Sequence, residues 1–179
     1  DRPDNTESPW DRLKTDKQRV LVSLGTVNAD RGARFYRAVV SALGGTDRVV
    51  VLAAPPEVVG DVPDNIIVRG WIPQLKLLSH VDAVVTHGGH NTVCEALSHG
   101  LPLVVAPIKD DQPVVAAQVE ACGAGVRVRF GRIRPQALGA AVDTVLGIAD
   151  YRIQAQRIAA SFKAAGGATA AADVLEELT

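Results

Sequence analysis

The chain has 179 residues, 47% of them hydrophobic but only 4% aromatic, and a formal net charge of −1. That length makes one sizeable domain with a substantial core, and the composition is that of a globular α/β chain rich in Val, Ala and Leu. Near-neutral charge gives no electrostatic case for nucleic acid or an anionic membrane, no apolar run reaches the roughly 18 residues of a membrane span, and the opening DRPDNTESPW has no signal-peptide core.

Residues 1–18 read as a linker, because Pro3, Pro9 and clustered charges argue against regular structure. A linker at the very start implies that something preceded it, so the chain reads as the back half of a longer protein. Residues 19–179 are then one folded domain. Residues 20–24 form a short strand ending at Gly25-Thr26, and residues 31–43 a helix stopped by Gly44-Gly45. Residues 49–52 are a second strand, ended by Pro55-Pro56, and residues 66–68 a third. Residues 73–79 are a short helix with Pro73 in its favourable first turn. A strand at 81–85 leads into a helix at 90–98, a strand at 103–105 into a helix at 111–121, and a sixth strand covers 125–128. Helices follow near 135–146, 150–164 and 168–178. Continuous apolar strands separated by helices predict a Rossmann-like parallel sheet of about six strands with helices on both faces. Cys94 and Cys122 make neither a disulfide framework nor a metal pattern. Both fall in helical stretches and read as reduced, packed thiols, which fits a cytoplasmic setting.

One stretch organises the rest. In AVVTHGGHNTVCE, residues 83–95, an apolar run ends in His87-Gly88-Gly89 and a helix opens at His90 or Asn91. Strand, glycine turn and helix start together present backbone N–H groups and a positive dipole end to an anion. Asn91 and Thr92 sit at the helix mouth, as caps or as ligand donors. Glu95 follows one turn later on the same face, where it suits ribose hydroxyls beside a nucleotide diphosphate. Ligands of a parallel α/β sheet bind outside the carboxyl ends of its strands. There the sequence also places Gly25-Thr26, Trp71 with Gln74, and Asp111-Gln112. Two other nucleotide-binding classes are disfavoured. The first strand ends in Gly25-Thr26-Val27-Asn28, not in the G-x-G-x-x-G of a dinucleotide fold, and no G-x-x-x-x-G-K-[ST] phosphate loop occurs.

Trp71-Ile72-Pro73-Gln74, then His87-Gly88-Gly89-His90-Asn91-Thr92 with Glu95, then Asp111-Gln112, resembles the nucleotide-sugar signature of family 1 glycosyltransferases with the two-domain GT-B fold. The resemblance runs from about Val20 to the C-terminus. It is to the donor-binding C-terminal half, and is particularly close to actinobacterial members that decorate natural products or glycolipids. It implies that Trp71 stacks on the nucleobase and that Gln74 approaches the base or ribose. His87 and Thr92 would meet the diphosphate, with Gly25, Thr26 and Gly89 bordering it and Asn91 near the phosphates or sugar. Glu95 would take both ribose hydroxyls, and Asp111 and Gln112 the hydroxyls of the transferred sugar. Each has a plainer reading: Trp71 as a core cover, His87 as a capping histidine, Glu95 as a solvated helix carboxylate, Asp111-Gln112 as a favourable helix start. His90 and Asn91 depart from residues common in the family, Trp and Gly respectively. His80 and His99 have no motif support and read as surface helix residues.

The resemblance further implies an inverting, metal-independent transfer from a nucleoside diphosphate sugar to a hydroxyl of a small-molecule or lipid acceptor, without a cofactor. A carboxylate with two acceptor oxygens tilts the nucleotide toward UDP, with TDP as the alternative. The family's general base is a histidine of the N-terminal acceptor-binding domain, so no residue here is assigned as catalytic and the isolated chain is expected to be inactive. The alternative is a stand-alone nucleotide-binding subunit that acts only with a separate acceptor-binding partner.

Overall fold

The structure, a computed structural model, describes residues 10–25 and 32–167, with Ala172 and Glu176 beyond them. Its elements in chain order are α1 (Trp10–Leu13), β1 (Gln18–Ser23), α2 (Ala33–Leu43), β2 (Arg48–Ala53), α3 (Pro56–Val59), β3 (Ile66–Arg69), α4 (Gln74–Leu78), β4 (Ala83–Thr86), α5 (His90–Ser98), β5 (Leu103–Val105), α6 (Gln112–Ala121), β6 (Gly125–Arg127), α7 (Pro135–Gly147) and α8 (Ala149–Ala164). A single 3-10 turn, Phe130–Arg132, lies between β6 and α7. The strands form one six-stranded sheet in the order β3-β2-β1-β4-β5-β6. Every neighbouring pair is parallel.

The apolar strands are explained by burial on both faces. Val20 and Val22 of β1 face one layer with Phe35, Tyr36 and Val39 of α2 and Leu138 and Val142 of α7. Leu21, between them, faces the other layer with Leu77 and Leu78 of α4, Val93 and Leu97 of α5, and Val115 and Val119 of α6. Alternate residues thus enter opposite cores, and each fully buried side chain contributes roughly 1.5–3 kcal/mol. The edge strand β6 and the turn after it carry exposed Arg127, Arg129 and Arg132. Charges there oppose edge-to-edge pairing with another sheet.

The chain runs outward from β1 through β2 to β3, then crosses back to β4 and runs outward again to β6. The switch point is therefore between β1 and β4, where a parallel sheet opens a crevice at its carboxyl edge. Ser23 pairs beside Thr86 at that edge. The loops beginning at Leu24 and at His87 leave the sheet side by side.

The other end of the same strand pair is tied by Asp82. Its Oδ2 accepts the Arg19 backbone N–H at 2.8 Å and the Arg19 Nε–H at 2.9 Å, while Oδ1 takes Nη2 at 3.1 Å. This half-buried pair also closes a donor of the strand backbone, so it contributes more than an exposed ion pair. Asp82→Ala is expected to lower stability by about 1–2 kcal/mol. An unchanged urea midpoint in that variant would show that the pair contributes nothing.

The structure departs from the sequence reading in places. Within residues 1–18, Trp10–Leu13 form one helical turn and Leu13 is buried in the α4–α6 core. One apolar residue with a place in the core overrides the charged surroundings, and Arg12 donates to the Asp64 carbonyl to hold the turn. The one-turn α3 was not expected from Pro55-Pro56, although proline suits a first helical position. Cys122 is exposed at the end of α6, not packed, whereas Cys94 is half-buried in α5. His80 and His99 are exposed, His99 as the C-terminal cap of α5. Residues 1–9 and most of the helix expected at 168–178 lie outside the described residues.

Candidate functional site

The β4–α5 loop is built around His87. The ring is buried, with 8% of the residue exposed. It lies between two glycines. A Cβ on Gly89 would come within 2.6 Å of Nε2, and a Cβ on Gly25 within 2.9 Å of Cε1. The glycines therefore make room for the imidazole as well as for any ligand. Gly88 has a further constraint: its φ is +88° and a Cβ there would meet Val105 Cγ1 at 2.8 Å. The ring is also hydrogen-bonded to the Ser23 main chain, which links the β1 and β4 loops.

Burial pushes the His87 pKa below its ordinary 6.5, outweighing the Ser23 hydrogen bond and the negative charge of Asp111, which both act in the opposite direction. The imidazole is neutral at pH 7 with a single N–H, which either the Ser23 main chain or a bound ligand can take. A depressed histidine pKa has a definite consequence for stability. Above pH 6.5 both folded and unfolded states hold the ring neutral, so stability is fully present. As pH falls below 6.5 the unfolded chain takes up a proton first, and stability declines toward the lower folded value. Melting temperatures measured from pH 7.5 down to 5.5 are expected to fall, and His87→Gln to flatten the slope. An equal slope in that variant would remove His87 from the account.

Helix α5 starts at His90 with Gly89 as its N-terminal cap, and no side chain caps it. Asn91 and Thr92 therefore do not act as caps. Asn91 is exposed, and the first-turn N–H groups have no partner within the helix. Three free amides and a positive dipole end thus lie at the start of α5, beside the His87 ring.

A cavity of about 710 Å³ opens next to it, lined by Trp71, Gln74, Thr92, Glu95, Gly25 and the Ala53-Ala54-Pro55 turn after β2. Trp71 is 41% exposed and lines this space rather than being buried in the core. Gln74, at the start of α4, donates from Nε2 to Glu95 Oε2 at 2.6 Å and lies 3.5 Å from Thr92 Oγ1. Its amide nitrogen is fixed toward the carboxylate, since only a donor belongs there. One oxygen of Glu95 is thereby engaged, and the other stays open to the cavity. The Ala53–Pro55 wall was missed from sequence, where the only signal was a pair of small residues before a proline turn.

Asp111 and Gln112 lie outside this cavity, at the start of α6. Asp111 is exposed, and its side chain makes no capping hydrogen bond. Gln112 is the opposite: 5% exposed, with its carbonyl already used by its own loop. The sequence expected both to take hydroxyls of the transferred sugar; Asp111 has free acceptor oxygens, and in Gln112 the amide nitrogen is the unengaged group. Thr26 lies outside the described residues. Gly25, Trp71, Gln74, Thr92 and Glu95 thus share one cavity, His87 packs against Gly25 and Gly89 beside it, and Asn91 and Asp111 are exposed outside it.

This chain belongs to the family described as UDP-glucoronosyl and UDP-glucosyl transferase, whose profile matches residues 12–163. It is 35% identical to the uncharacterized UDP-glucosyltransferase YojK of Bacillus subtilis (strain 168), over 99% of this chain and 44% of that protein. It is 37% identical to the 4'-demethylrebeccamycin synthase of Lentzea aerocolonigenes, over 94% of this chain and 40% of that protein. Among solved structures it resembles CalG4, the calicheamicin glycosyltransferase, with a TM-score of 0.83 and 32% identity, over 90% of this chain and 43% of that one. The chain spans less than half the length of these relatives. Its α/β sheet is the Rossmann-like half of the GT-B architecture. Among the described residues no helix is long and apolar enough to cross a membrane.

Proposed function

We propose that this chain is the donor-binding domain of an inverting, metal-independent glycosyltransferase that moves a sugar from a nucleoside diphosphate sugar to an acceptor hydroxyl. The observation that carries this reading is the alignment of three unlike surfaces along one crevice. Trp71 offers a flat ring for a base, the Glu95–Gln74 pair offers acceptors for ribose hydroxyls, and the α5 start with His87 offers donors for a diphosphate. These are the kinds of partner that the base, ribose and diphosphate of a nucleotide each require. The sugar would extend toward Asp111, which has unused acceptors for its hydroxyls.

The chemistry assigned to this chain is charge stabilisation. As the sugar–oxygen bond breaks, negative charge grows on the leaving diphosphate, and the α5 amides and the His87 N–H are preorganised to meet it. No residue here is assigned to activating the acceptor. That step belongs to a general base on an acceptor-binding domain beyond this sequence, and the acceptor class is read there too. UDP is favoured over TDP because Glu95 presents a free oxygen where a ribose 2′-hydroxyl would lie.

Calorimetry of the chain with UDP, TDP and GDP tests the reading. Binding of at least one nucleoside diphosphate is expected, weaker than in a two-domain enzyme because half the cleft is absent. Trp71→Ala should weaken uridine and UDP alike by about 1 kcal/mol, the loss of one partly exposed aromatic contact. No heat with any of the three at millimolar concentration would refute the assignment.

A further inference from the structure

Charge is unevenly spread around the open edge of the sheet. Residues 112–142 hold one acid, Glu120, against four bases, Arg127, Arg129, Arg132 and Arg134, and all four arginines are exposed. Glu120 is committed to the first of them: its Oε2 lies 3.2 Å from Arg127 Nε, and its Oε1 accepts the Arg127 backbone N–H at 3.3 Å. The acid of α7, Asp143, pairs with Arg48 at 2.7 Å. Among the described residues Arg129, Arg132 and Arg134 have no ion-pair partner. Each offers a donor fork that matches a carboxylate. Together with Arg127 they rim a groove of about 510 Å³ between β6 and α7. Its floor is apolar, with half-buried Val126 and Val128 from the strand and Ala137, Ala140 and Ala141 from the helix. Residues three and four apart share a helix face, so these alanines leave a furrow along α7 instead of a ridge. Thr144 extends the furrow, and its hydroxyl donates to the Ala140 carbonyl at 2.7 Å, so it adds no free donor.

We propose that this groove is a docking site for an acidic, amphipathic segment of a partner protein, with apolar side chains over the alanine floor and carboxylates on Arg129, Arg132 and Arg134. Floor and rim together select that occupant. A second copy of this edge is opposed by like charge. A small anion would use the arginines and leave the furrow empty. An anionic membrane calls for apolar side chains that project past the charges, whereas here the apolar residues form the floor and the arginines the rim. Added strand pairing is not the mode either. The Arg127 N–H is held by Glu120, and the Arg129 carbonyl accepts the Arg132 N–H at 3.3 Å, so side chains do the recognising. None of these residues lines the donor cavity, so docking here goes beyond the donor-binding reading and does not depend on it.

A synthetic peptide of repeated Leu-Glu-Glu triplets is the probe, with Leu-Lys-Lys triplets, oligoglutamate and phosphatidylglycerol vesicles as comparisons. Titrated into the unmodified chain at low salt, the Leu-Glu-Glu peptide is expected to shift the backbone resonances of residues 126–144 before any others. Its affinity should fall as salt rises, and the lysine peptide should not bind. Two variants dissect the groove. Replacing Arg129, Arg132 and Arg134 together by glutamate reverses the rim at exposed positions, and Ala140→Phe fills the furrow with the charges intact. Each should weaken the Leu-Glu-Glu peptide at least tenfold, with a melting temperature close to that of the unmodified chain. Unchanged affinity in either variant would overturn the proposal. Oligoglutamate bound as tightly as the Leu-Glu-Glu peptide would also overturn it and leave a site for anions alone. Vesicles bound more tightly than the peptide, and released by the triple reversal, would replace it with a membrane surface. Absence of any shift in residues 126–144 at millimolar peptide would end it outright. Should the triple reversal unfold the chain, Ala140→Phe and the oligoglutamate comparison decide alone.

Discussion

Gly89→Ala is expected to lose most of the affinity for a nucleoside diphosphate while the sheet stays folded. The backbone there, φ −60° and ψ 131°, is open to any residue, so the substitution carries no conformational penalty. The obstacle is the ring of His87: the new methyl would sit 2.6 Å from Nε2, and something must shift. The peptide is fixed as the cap of α5, so the imidazole is what moves, and the ring leaves the position from which it donates. His87→Ala removes the same donor directly. A hydrogen bond to a charged group contributes roughly 1.5–3 kcal/mol, so either variant should bind UDP at least tenfold more weakly, with uridine nearly unaffected. The two changes act on one interaction, and their effects should not add. In a His87→Ala background, Gly89→Ala should cost almost nothing further. Calorimetry on the four proteins with uridine and UDP reads this out. Additive losses would mean that Gly89 is needed for close approach of the phosphates themselves. Equal losses for uridine and UDP would make His87 a structural residue.

That pairing of His87 with Gly89 shows which parts of the site were legible in the sequence. Gly88 and Gly89 mark a turn by local chemistry alone, and the helix that follows them begins at His90, as its pattern predicts. The apolar strands were equally local, since burial on both faces leaves no polar residue to interrupt Val20, Leu21 and Val22. Harder to read were the features set by pairing across the chain. Nothing near Gln74 announces that its amide meets Glu95, 21 positions on. Gln112 reads as a polar residue at a helix start, and only the structure shows it buried with its carbonyl on the Ile108 and Lys109 amides. Leu13 was hidden by its charged neighbours, because a single apolar residue gives no periodicity. Turn glycines act through their own dihedral angles and declare themselves, whereas a side chain that works through a distant partner does not.

The engagement of Gln74 with Glu95 bears on the second large effect, the choice of nucleotide. A free carboxylate offers two oxygens to two ribose hydroxyls. In this structure Oε2 accepts the Gln74 amide at 2.6 Å, leaving Oε1 as the open acceptor. The Gln74 contact also holds the carboxylate in place before any ligand arrives, so less ordering is needed on binding. UDP carries both the 2′- and 3′-hydroxyls, whereas TDP offers only the 3′-hydroxyl. On the proposed reading, UDP would give one hydroxyl to Oε1 and the other to the remaining lone pair of Oε2, and TDP would leave one of these unfilled. One hydrogen bond to a charged group then favours UDP by about 1.5 kcal/mol, near tenfold. Glu95→Ala should weaken UDP by roughly 1.5–3 kcal/mol and TDP by less, erasing most of the preference. Gln74→Ala should retain the preference, since the carboxylate remains, but weaken both nucleotides modestly as the acceptor loses its support. The measurement is a matrix of two nucleotides against three proteins under one buffer. Tighter binding of TDP by the unmodified chain would overturn the ribose contact at Glu95. Loss of the preference in Gln74→Ala with Glu95 intact would move it to the glutamine, whose own carbonyl would then be what reads the 2′-hydroxyl.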